Sequence, residues 1–292
     1  MYKENINSHI IPRHYLKHFA NDRGCIFTYP DPEKHTDCQC MSKGGGKVVK
    51  NTATETGYYS PKTEQTLDQK YENQGSHILR KILNKHLITS NEKELFAKYI
   101  TSFIFRVPAT KQMIEKVLPK IVEDMNSPDS FLEQNEIKDH TLYYEFLNDP
   151  TQEPERVRQI FETLIENEHK SIYDTLLSRE WWVAETISSE YFITSNNPLF
   201  YTSIGGMRDR DIQITFPISK RMALIFEGYK GTSKKLNIEY YPASSLLHNQ
   251  VDLINKRTAS NSDYLYSPRQ DNYVQSLLKY PINNLEYIKR KI

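Results

Sequence analysis

The order of the predicted segments favours an α+β fold. Short β-prone runs come first, in "GCIFTYPDPEKHTDCQC" and "GGGKVVKNTATETGYYS", with Pro and Gly between them. Helical patterns follow up to about residue 178, and most of the remaining segments are β-like. Strands and helices that are segregated along a chain are typical of α+β proteins. We therefore expect a small N-terminal β-hairpin, a central helical block and a C-terminal antiparallel or mixed sheet with helices.

The chain is predicted to form one domain over residues 1–292. A helix-rich part covers about residues 1–178, and a sheet-containing part covers about residues 179–292. The sequence contains no internal repeat, low-complexity segment or linker that separates the two parts. A chain of this length also buries enough apolar surface for a sizeable core.

The first helix is predicted in "HIIPRHYLKHFA", where Pro12 suits the first helical turn because its missing N–H would have no partner there. Helical spacing also marks "QTLDQKYENQGSHILRKILNK" and "SNEKELFAKYITSFIFR", and Ser90 is the predicted cap of the latter, with a Glu in capping-box position. Two further segments, "PATKQMIEKVLPKIVEDM" and "PERVRQIFETLIENEHKSIYDTLLS", are each predicted as a helix, with "NSPDSFLEQNEIKD" as the loop between them.

Beyond Trp181 the sequence becomes β-like. Four runs are strand candidates, with turn residues between them: "YFITS", "DIQITFPI", "RMALIFEG" and "LNIEYYP". A helix is expected in "SSLLHNQVDLINKRTASN", and "DYLYS" is predicted to be the last strand.

Composition and charge exclude several classes of protein. The chain has 38 basic and 37 acidic side chains, so any contact with nucleic acid requires a local basic patch. No apolar run reaches the roughly 20 residues of a membrane span, and the first residues lack an apolar signal core. Three cysteines are too few for a disulfide framework. We therefore expect a cytoplasmic protein with no membrane contact.

Three motifs that resemble ligand sites are weak. His35, Cys38 and Cys40, with Cys25 upstream, offer zinc-ligand atoms, but their spacing is not that of a zinc knuckle. "GGGK" lacks the full spacing of a phosphate-binding loop, which favours a flexible turn. His14 and His18 are four residues apart on one helix face but have no third ligand nearby. A solvated surface pair is the favoured interpretation of these two histidines, and no metal site is predicted.

A stronger signal comes from charged side chains on apolar helix faces. Arg106 is three residues after Phe103 and continues the apolar face of its helix. A guanidinium that points inward needs an anionic partner, because an unpaired buried charge is costly. Glu72 lies at the edge of an apolar face, and Gly75 leaves a gap one turn further on where another group could approach.

The N-terminal motif adds two more polar candidates. Arg13 lies at the edge of the apolar face of the first helix, and His9 precedes that helix near its positive end, which disfavours the imidazolium form. One interpretation is an internal network, in which Glu72 pairs with Arg13 or Arg106 and His9 bonds to the backbone. The other is a cleft in which these residues and a tyrosine act on a phosphodiester without a metal.

The segment "YFITSNNPLF" is a third candidate, because it ends a predicted strand in a tight polar turn. Ser195, Asn196 and Asn197 favour turns through bonds from side chain to backbone. Loops at strand ends also display the polar groups of binding sites. The sequence leaves both roles open, with turn chemistry as the favoured one.

The ordered set of these motifs resembles the bacterial family catalogued as domain of unknown function 4238. Members of that family have a His-x-x-Pro-x-x-Tyr-Leu-x-x-Phe-like start, an Arg-Thr-Pro-like helix end, a Phe-Ile-Thr-Ser-Asp-x-Pro-like turn and a Phe-Pro-Leu-Ser-like strand. The resemblance covers most of the chain, and it marks His9, Pro12, Tyr15, Leu16, Phe19, Glu72, Arg106, Pro108, Ser195 and Pro198. Arg13 fits its basic position less strictly.

This chain departs from the family pattern at two positions. It has Asn196 where the family commonly has Asp, and Val107 where Thr is common. A mechanism that requires a carboxylate at the turn is therefore in doubt for this chain. The family has no established activity, so the resemblance implies a set of site residues and not a reaction.

Two functions are compatible with these residues. The first is a metal-independent nuclease or phosphoryl-site effector, such as a bacterial toxin or phage-defence protein, with a nucleic acid or nucleotide as its substrate and no cofactor. Its catalytic candidates are His9, Glu72, Arg106 and Tyr15, and its binding candidates are Arg13, Ser195, Asn196 and Asn197. The alternative is a non-catalytic module that binds a nucleotide, a small anion or a protein partner. Ion pairs and turns that simply hold the fold remain a third interpretation.

Overall fold

The structure is a computed structural model, and it describes residues 7–31, 46–123, 153–186, 189–202, 212–229, 238–242, 250–260 and 262–278. Three of the candidate zinc ligands, His35, Cys38 and Cys40, lie outside these residues, as does the predicted loop at 126–139. Elements are numbered in chain order within the described residues.

The N-terminal strands form two separate pairings. Strand β1 (Asn7–His9) pairs antiparallel with β4 (Thr54–Thr56), and β2 (Cys25–Pro30) pairs antiparallel with β3 (Lys47–Val48). The second pairing is the expected hairpin. It is part of a larger sheet, because β2 also pairs with the C-terminal strand β11 (Tyr264–Ser267).

Helix α1 (Arg13–Leu16) starts directly after Pro12 and continues as a 3₁₀ turn, Lys17–Phe19. The next helix is continuous from Pro61 to Leu83, with α2 (Pro61–Leu67) and α3 (Asn73–Leu83) joined by a π-helical turn at Asp68–Glu72. This turn was not expected from the sequence.

The longest helix of the core, α4 (Ser90–Arg106), begins one residue earlier than the sequence suggested. The prediction of Ser90 as its cap was wrong, because Ser90 is already helical. Thr89 has extended backbone angles, and its hydroxyl accepts a hydrogen bond from the Glu92 N–H at 3.2 Å. The Glu92 carboxylate accepts in return from the Thr89 N–H at 2.8 Å, which completes a capping box.

In the described residues after α5 (Pro108–Glu123), two helices occupy the segment in which the sequence suggested one. The segment predicted as a single helix divides into α6 (Glu153–Glu166) and α7 (Lys170–Leu177). His169 caps α7 with non-helical backbone angles, and its ring nitrogen Nε2 lies 2.7 Å from the carbonyl oxygen of Leu164. The break turns α7 so that it packs against α4.

The larger C-terminal sheet is mixed and has the strand order β10-β5-β9-β8-β7. These strands are β5 (Arg179–Glu185), β7 (Phe200–Tyr201), β8 (Ile214–Pro217), β9 (Met222–Tyr229) and β10 (Glu239–Pro242). All pairings are antiparallel except β5 with β10. Strand β5 was missed in the sequence because it is buried along nearly its whole length and shows no alternation of apolar and polar residues.

The remaining elements join the two sheets. Strand β6 (Thr194–Ser195) pairs with β11 and completes the order β3-β2-β11-β6. Helix α8 (Gln250–Ser260) packs against β6 and β8, and the short α9 (Asn272–Leu277) packs against α8. The α+β prediction is confirmed, with a small sheet drawn from both ends of the chain and a mixed sheet near the C-terminus.

The main core lies between α1, α4 and the inner face of the mixed sheet. Tyr15 is fully buried, and its ring contacts Phe103 and Phe216 at centroid distances of 5.1 and 5.4 Å. Trp181 bridges the two parts, because its ring lies against Phe96 of α4 and Phe226 of β9. None of the helices in the described residues is both long enough and apolar enough to cross a membrane.

Candidate functional site

Arg106 is the centre of a polar cluster in this core. Its side chain is fully buried, and its Nη1 atom donates to the Glu72 carboxylate at 2.8 Å. Its Nη2 atom donates to the backbone carbonyl of His9 at 3.2 Å. Burial is the largest effect and disfavours the charged guanidinium, but Glu72 and Tyr59 together outweigh it and raise the pKa of Arg106. The charge on Arg106 therefore has a permanent partner inside the protein, as the ion-pair interpretation predicts.

The end of α4 is held by two tyrosines of the preceding segment. The hydroxyls of Tyr58 and Tyr59 donate to the backbone carbonyl of Arg106 at 3.1 and 3.4 Å. The last carbonyls of a helix have no partner within it, so these two bonds replace water at a buried helix end. They also hold the Arg106 backbone in place and thereby position its side chain.

The π-helical turn explains why Glu72 faces Arg106. Eight residues of ideal α-helix rotate through about 800°, which would place Glu72 about 80° away from Glu64 around the helix axis. A π turn contains one extra residue, and this residue removes about 100° of rotation. The turn at Asp68–Glu72 therefore brings the two carboxylates to nearly the same helix face. Single π turns are frequent at functional sites.

Glu64 belongs to the same cluster, although no motif in the sequence pointed to it. Its Oε1 atom accepts a weak hydrogen bond from the His9 N–H at 3.5 Å. Burial raises the pKa of Glu64, and the positive charge of Arg106 partly opposes this shift. With Glu72 held by Arg106, the site contains two carboxyl groups in different environments, which is how acid and base roles become separated.

His9 is half-buried between Glu64 and the basic groups. Burial lowers its pKa, and a hydrogen bond to the Lys50 backbone acts in the opposite direction. The positive charges of Arg13 and Arg106 lower the pKa further. Both expectations for His9, that it bonds to the backbone and that the imidazolium is disfavoured, are therefore met.

His14 contacts this cluster from α1, and the prediction that it lies in a solvated surface pair was wrong. Its Nε2 atom lies 2.8 Å from the Tyr99 hydroxyl, and its Nδ1 atom lies 3.6 Å from Glu72. Burial lowers the pKa of His14 to about 4, so the ring is neutral near pH 7. His18, four residues on, is half-buried, and burial also lowers its pKa.

The contacts of His14 also favour one tautomer of its ring. The Nδ1 atom lies 3.6 Å from Glu72, and the negative carboxylate favours the tautomer that carries the proton on Nδ1. The Nε2 atom then accepts the hydrogen bond from the buried Tyr99 hydroxyl. Gly75 makes this arrangement possible, because a Cβ atom at that position would overlap the Tyr99 ring. Tyr99 is thus the group that enters the gap predicted at Gly75.

Three polar side-chain atoms of this region are buried without a hydrogen-bond partner among the described residues. They are His9 Nε2, Glu64 Oε2 and Arg106 Nε. Their residues are joined to one another, because Arg106 bonds the His9 carbonyl and the His9 N–H bonds Glu64. Buried polar groups without partners are rare and indicate strain, a bound molecule or a catalytic role. We call His9, Glu64, Glu72 and Arg106 the Arg106 cluster.

Tyr15, a predicted catalytic residue, lies on the other side of α1. Its hydroxyl donates to the Pro217 carbonyl at 2.6 Å and lies 2.8 Å from the Thr194 hydroxyl. Burial raises its pKa far above the ordinary tyrosine range. These contacts link the N-terminal motif to the "FITSNNPLF" and "FPIS" segments, so the structure gives Tyr15 a place in the core away from solvent.

The Ser-Asn-Asn turn makes its hydrogen bonds within the fold. Asn196 is buried, and its Oδ1 atom accepts from the backbone N–H groups of Asp263 and Tyr264 at 3.0 and 3.1 Å. Ser195 is fully buried, and its hydroxyl accepts from the Asn197 N–H at 3.1 Å. These contacts match the turn interpretation. An Asn oxygen accepts both bonds as an Asp oxygen would, so the departure from the family pattern leaves the turn intact.

The other sequence candidates are placed as follows. Arg13 is exposed, and its charge reaches His9. Cys25 carries a half-buried free thiol. In the part of the chain that the structure describes, no group of three His, Cys, Asp or Glu side chains is positioned to hold a metal ion.

The protein is thus an α+β protein with one polar cluster, which lies between its N-terminal helix and its central helix. The Ser-Asn-Asn turn is separate from this cluster and has a structural role. The chain belongs to the family described as "Protein of unknown function (DUF4238)", whose model matches residues 7–269. The resemblance seen in the motifs is thereby confirmed. No curated protein and no solved structure matches the chain significantly.

Proposed function

We propose that the protein is a metal-independent phosphodiesterase, and most specifically a nuclease, that uses the Arg106 cluster. The observation that supports this proposal is the set of three buried atoms without partners: a ring nitrogen, a carboxyl oxygen and a guanidinium N–H. These are the base, the acid and the oxyanion donor that phosphodiester cleavage requires. They come from residues that contact one another directly.

In this mechanism His9 is the base and Glu64 is the acid. The Nε2 atom of His9 takes a proton from water as the water oxygen forms a bond to phosphorus. The bond from phosphorus to the leaving oxygen breaks, and Glu64 gives its proton to that oxygen. The products are a phosphate monoester and an alcohol, and solvent returns the proton from His9 to Glu64. The lowered pKa of His9 and the raised pKa of Glu64 suit these roles.

The remaining residues hold the site together. Arg13 is exposed next to His9 and would bind the phosphate, while the Arg106 N–H would face the developing charge. Glu72 and His14 act as positioning residues, because they fix Arg106 and close the cluster from the α1 side. Substrate entry would displace the half-buried side chains of His9 and Glu64. The setting we propose is that of a bacterial toxin or phage-defence effector in the cytoplasm.

Cleavage assays test this proposal directly. The purified protein would be incubated with labelled single-stranded RNA, single-stranded DNA and nucleotides, with and without a chelator. We expect cleavage in the chelator and a loss of about 100-fold or more in His9→Gln and Glu64→Gln. His77→Gln and Asp174→Asn, which change exposed residues elsewhere, are the matched controls. Absence of cleavage under every condition, or full activity in both cluster variants, would contradict the proposal.

The pH profile of the reaction provides an independent check. Activity should rise with pH as His9 loses its proton and fall as Glu64 loses its proton. Because the pKa of His9 lies below 6.5 and that of Glu64 lies above 4.5, we expect a bell-shaped profile of kcat/KM with its maximum in the mildly acidic range. A profile that rises steadily to pH 9 would rule out this pair as base and acid.

A second candidate function is a binding module without catalysis. The observation that favours it is the burial of the three atoms without partners, which suits a small polar ligand enclosed by the cluster. Thermal unfolding against a panel of nucleotides and small anions distinguishes the two. A ligand at a hundredfold excess over its Kd stabilises the protein by about 2.7 kcal/mol. Stabilisation without turnover would favour this module.

A further inference from the structure

A group of exposed basic side chains surrounds α1, and we infer that it docks single-stranded nucleic acid. The basic face consists of Arg13, Lys17, Lys50 and Arg80, all of which are exposed. This inference deepens the proposed function, because it names a polymer of phosphodiesters as the substrate. It concerns binding, however, which can be measured where no cleavage takes place.

The four side chains of the basic face lie near one another and near the Arg106 cluster. Arg13 and Lys17 are four residues apart along the α1 segment, a spacing that places side chains on one helix face. A second 3₁₀ turn, Val49–Asn51, contains Lys50 and packs against α1. The Lys50 backbone also bonds to the His9 ring. Arg80 is close enough to His18 that its charge lowers the pKa of that ring, as does the charge of Lys17.

The basic face brings together four basic side chains that have no ion pairs. None of its four side chains forms a salt bridge with a described residue. Many other lysines of the described surface lie within 4 Å of a carboxylate, in the pairs Lys70–Glu168, Lys81–Glu92, Lys85–Glu185, Lys98–Glu94, Lys111–Glu55 and Lys220–Asp22. Unpaired cations on a chain with a net charge of only +1 form a local patch, which is the requirement for nucleic-acid contact in a neutral protein.

Acidic groups near α1 do not cancel this charge. Glu72 is neutralised by Arg106, and Asp22 is paired with Lys220. Burial raises the pKa of Glu64, which reduces its negative charge. Asp68 is exposed, and its charge reaches His14. The four cations therefore face solvent with a clear excess of positive charge.

A single strand fits this geometry better than a duplex or an acidic protein. The cluster atoms that would act on a phosphate are buried, so the phosphate must enter a narrow site, which a flexible single strand can do. Cations on α1, on the Val49–Asn51 turn and on α3 would contact successive phosphates of the strand. Recognition would be independent of sequence, because it rests on phosphate contacts alone.

Binding of a labelled single-stranded DNA of about 20 nucleotides, measured by fluorescence anisotropy over a range of salt concentrations, tests the inference. The strand has phosphorothioate linkages, which keep the backbone charge and resist cleavage. The variant replaces Lys17, Lys50 and Arg80 by Ala. Arg13 stays unchanged because the proposed function uses it. The matched control replaces Lys62, Lys116 and Lys170 by Ala, which removes the same charge from exposed positions elsewhere.

Each lost phosphate contact on a single strand reduces the salt slope of the binding constant by about 0.7, so the first variant should lose about 2 units of slope. Its affinity at 0.1 M salt should fall about 100-fold, while the control variant binds within a few-fold of the unmodified protein. Equal losses in both variants, or no binding by the unmodified protein, would overturn the inference.

Two further outcomes separate this inference from the proposed function. If the unmodified protein binds the strand through the basic face but cleaves no nucleic acid, the docking surface stands and the catalytic proposal fails. If the protein cleaves a dinucleotide but loses no polymer affinity in the first variant, the catalytic proposal stands and the docking surface fails.

Discussion

Replacing Arg106 by alanine tests how the cluster is held together. Arg106 is fully buried, and its partner Glu72 has only 16 % of its side chain exposed. Arg106→Ala therefore leaves a carboxylate in a largely apolar setting, where the neighbouring His14 ring at 3.6 Å is neutral and supplies no countercharge. It also removes the bond to the His9 carbonyl and leaves a cavity behind the Tyr59 ring, which the guanidinium faces at 5.9 Å.

The expected loss follows from the cost of stranding one member of a buried ion pair, which is about 3 to 5 kcal/mol. An unfolding entropy of about 2.1 cal/mol/K per residue makes this equal to a decrease in Tm of about 5 to 8 °C for a chain of 292 residues. Glu72→Gln alone should lose a similar amount, because it leaves the guanidinium without a countercharge. The double variant Arg106→Ala/Glu72→Gln should recover much of the loss, since neither charge then remains.

A double-mutant cycle in urea measures these values as free energies of unfolding. We expect a coupling of about 3 kcal/mol between Arg106 and Glu72. The exposed pair Lys70–Glu168, with side chains 34 % and 46 % exposed, serves as the control and should couple by less than about 1 kcal/mol. If Arg106→Ala is neutral or stabilising, or if the double variant loses the sum of the single losses, the ion pair does not hold the cluster and our reasoning fails.

Three further predictions address neighbouring features. Gly75→Ala should lose at least 1 to 3 kcal/mol, because the added methyl overlaps the root of the Tyr99 ring, whereas the exposed Gln74→Ala should unfold within about 0.5 kcal/mol of the unmodified protein. Asn196→Asp should be tolerated at neutral pH, while Asn196→Ala strands two backbone N–H groups and should lose about 2 to 3 kcal/mol. Equal losses in the two variants would contradict the turn interpretation. The pKa of His14 is about 4 in the folded state and near 6.5 when unfolded, so the unfolded chain binds more protons between these values. Stability should therefore decrease as the pH falls from 6.5 to 4, and His14→Gln should remove about 3 kcal/mol of that decrease, as urea titrations at each pH would show.

The sequence correctly identified residues that depend on helix periodicity. Arg106 continues the stripe of Phe103, and a buried guanidinium requires a carboxylate, so its pairing with Glu72 could be anticipated. The gap at Gly75 also had to receive a neighbouring group. These inferences need only the spacing of residues over one or two helical turns and the cost of burying an unpaired charge.

Other parts of the cluster could not be predicted because they depend on the tertiary fold. Glu64 reaches the site through a π turn, and no residue type in that segment signals an extra residue per turn. The sequence predicts His14 at the surface because its pair with His18 has no third ligand nearby, but α4 brings Tyr99 against it. The only hint in the sequence was that a histidine directly before a buried Tyr15 stands close to the edge of the core.

Helix α1 connects motifs that are far apart along the chain. Its buried face carries Tyr15, whose hydroxyl bonds the strand of Thr194 and the carbonyl of Pro217. Its other side carries His14, which closes the Arg106 cluster through Glu72. The turn motif and the polar cluster therefore do not share one pocket, but both depend on the placement of the same short helix. A helix of four residues has little stability of its own, so these contacts hold α1 in place. Any chemistry at the cluster therefore depends on the Ser-Asn-Asn turn, although the turn does not contact the cluster.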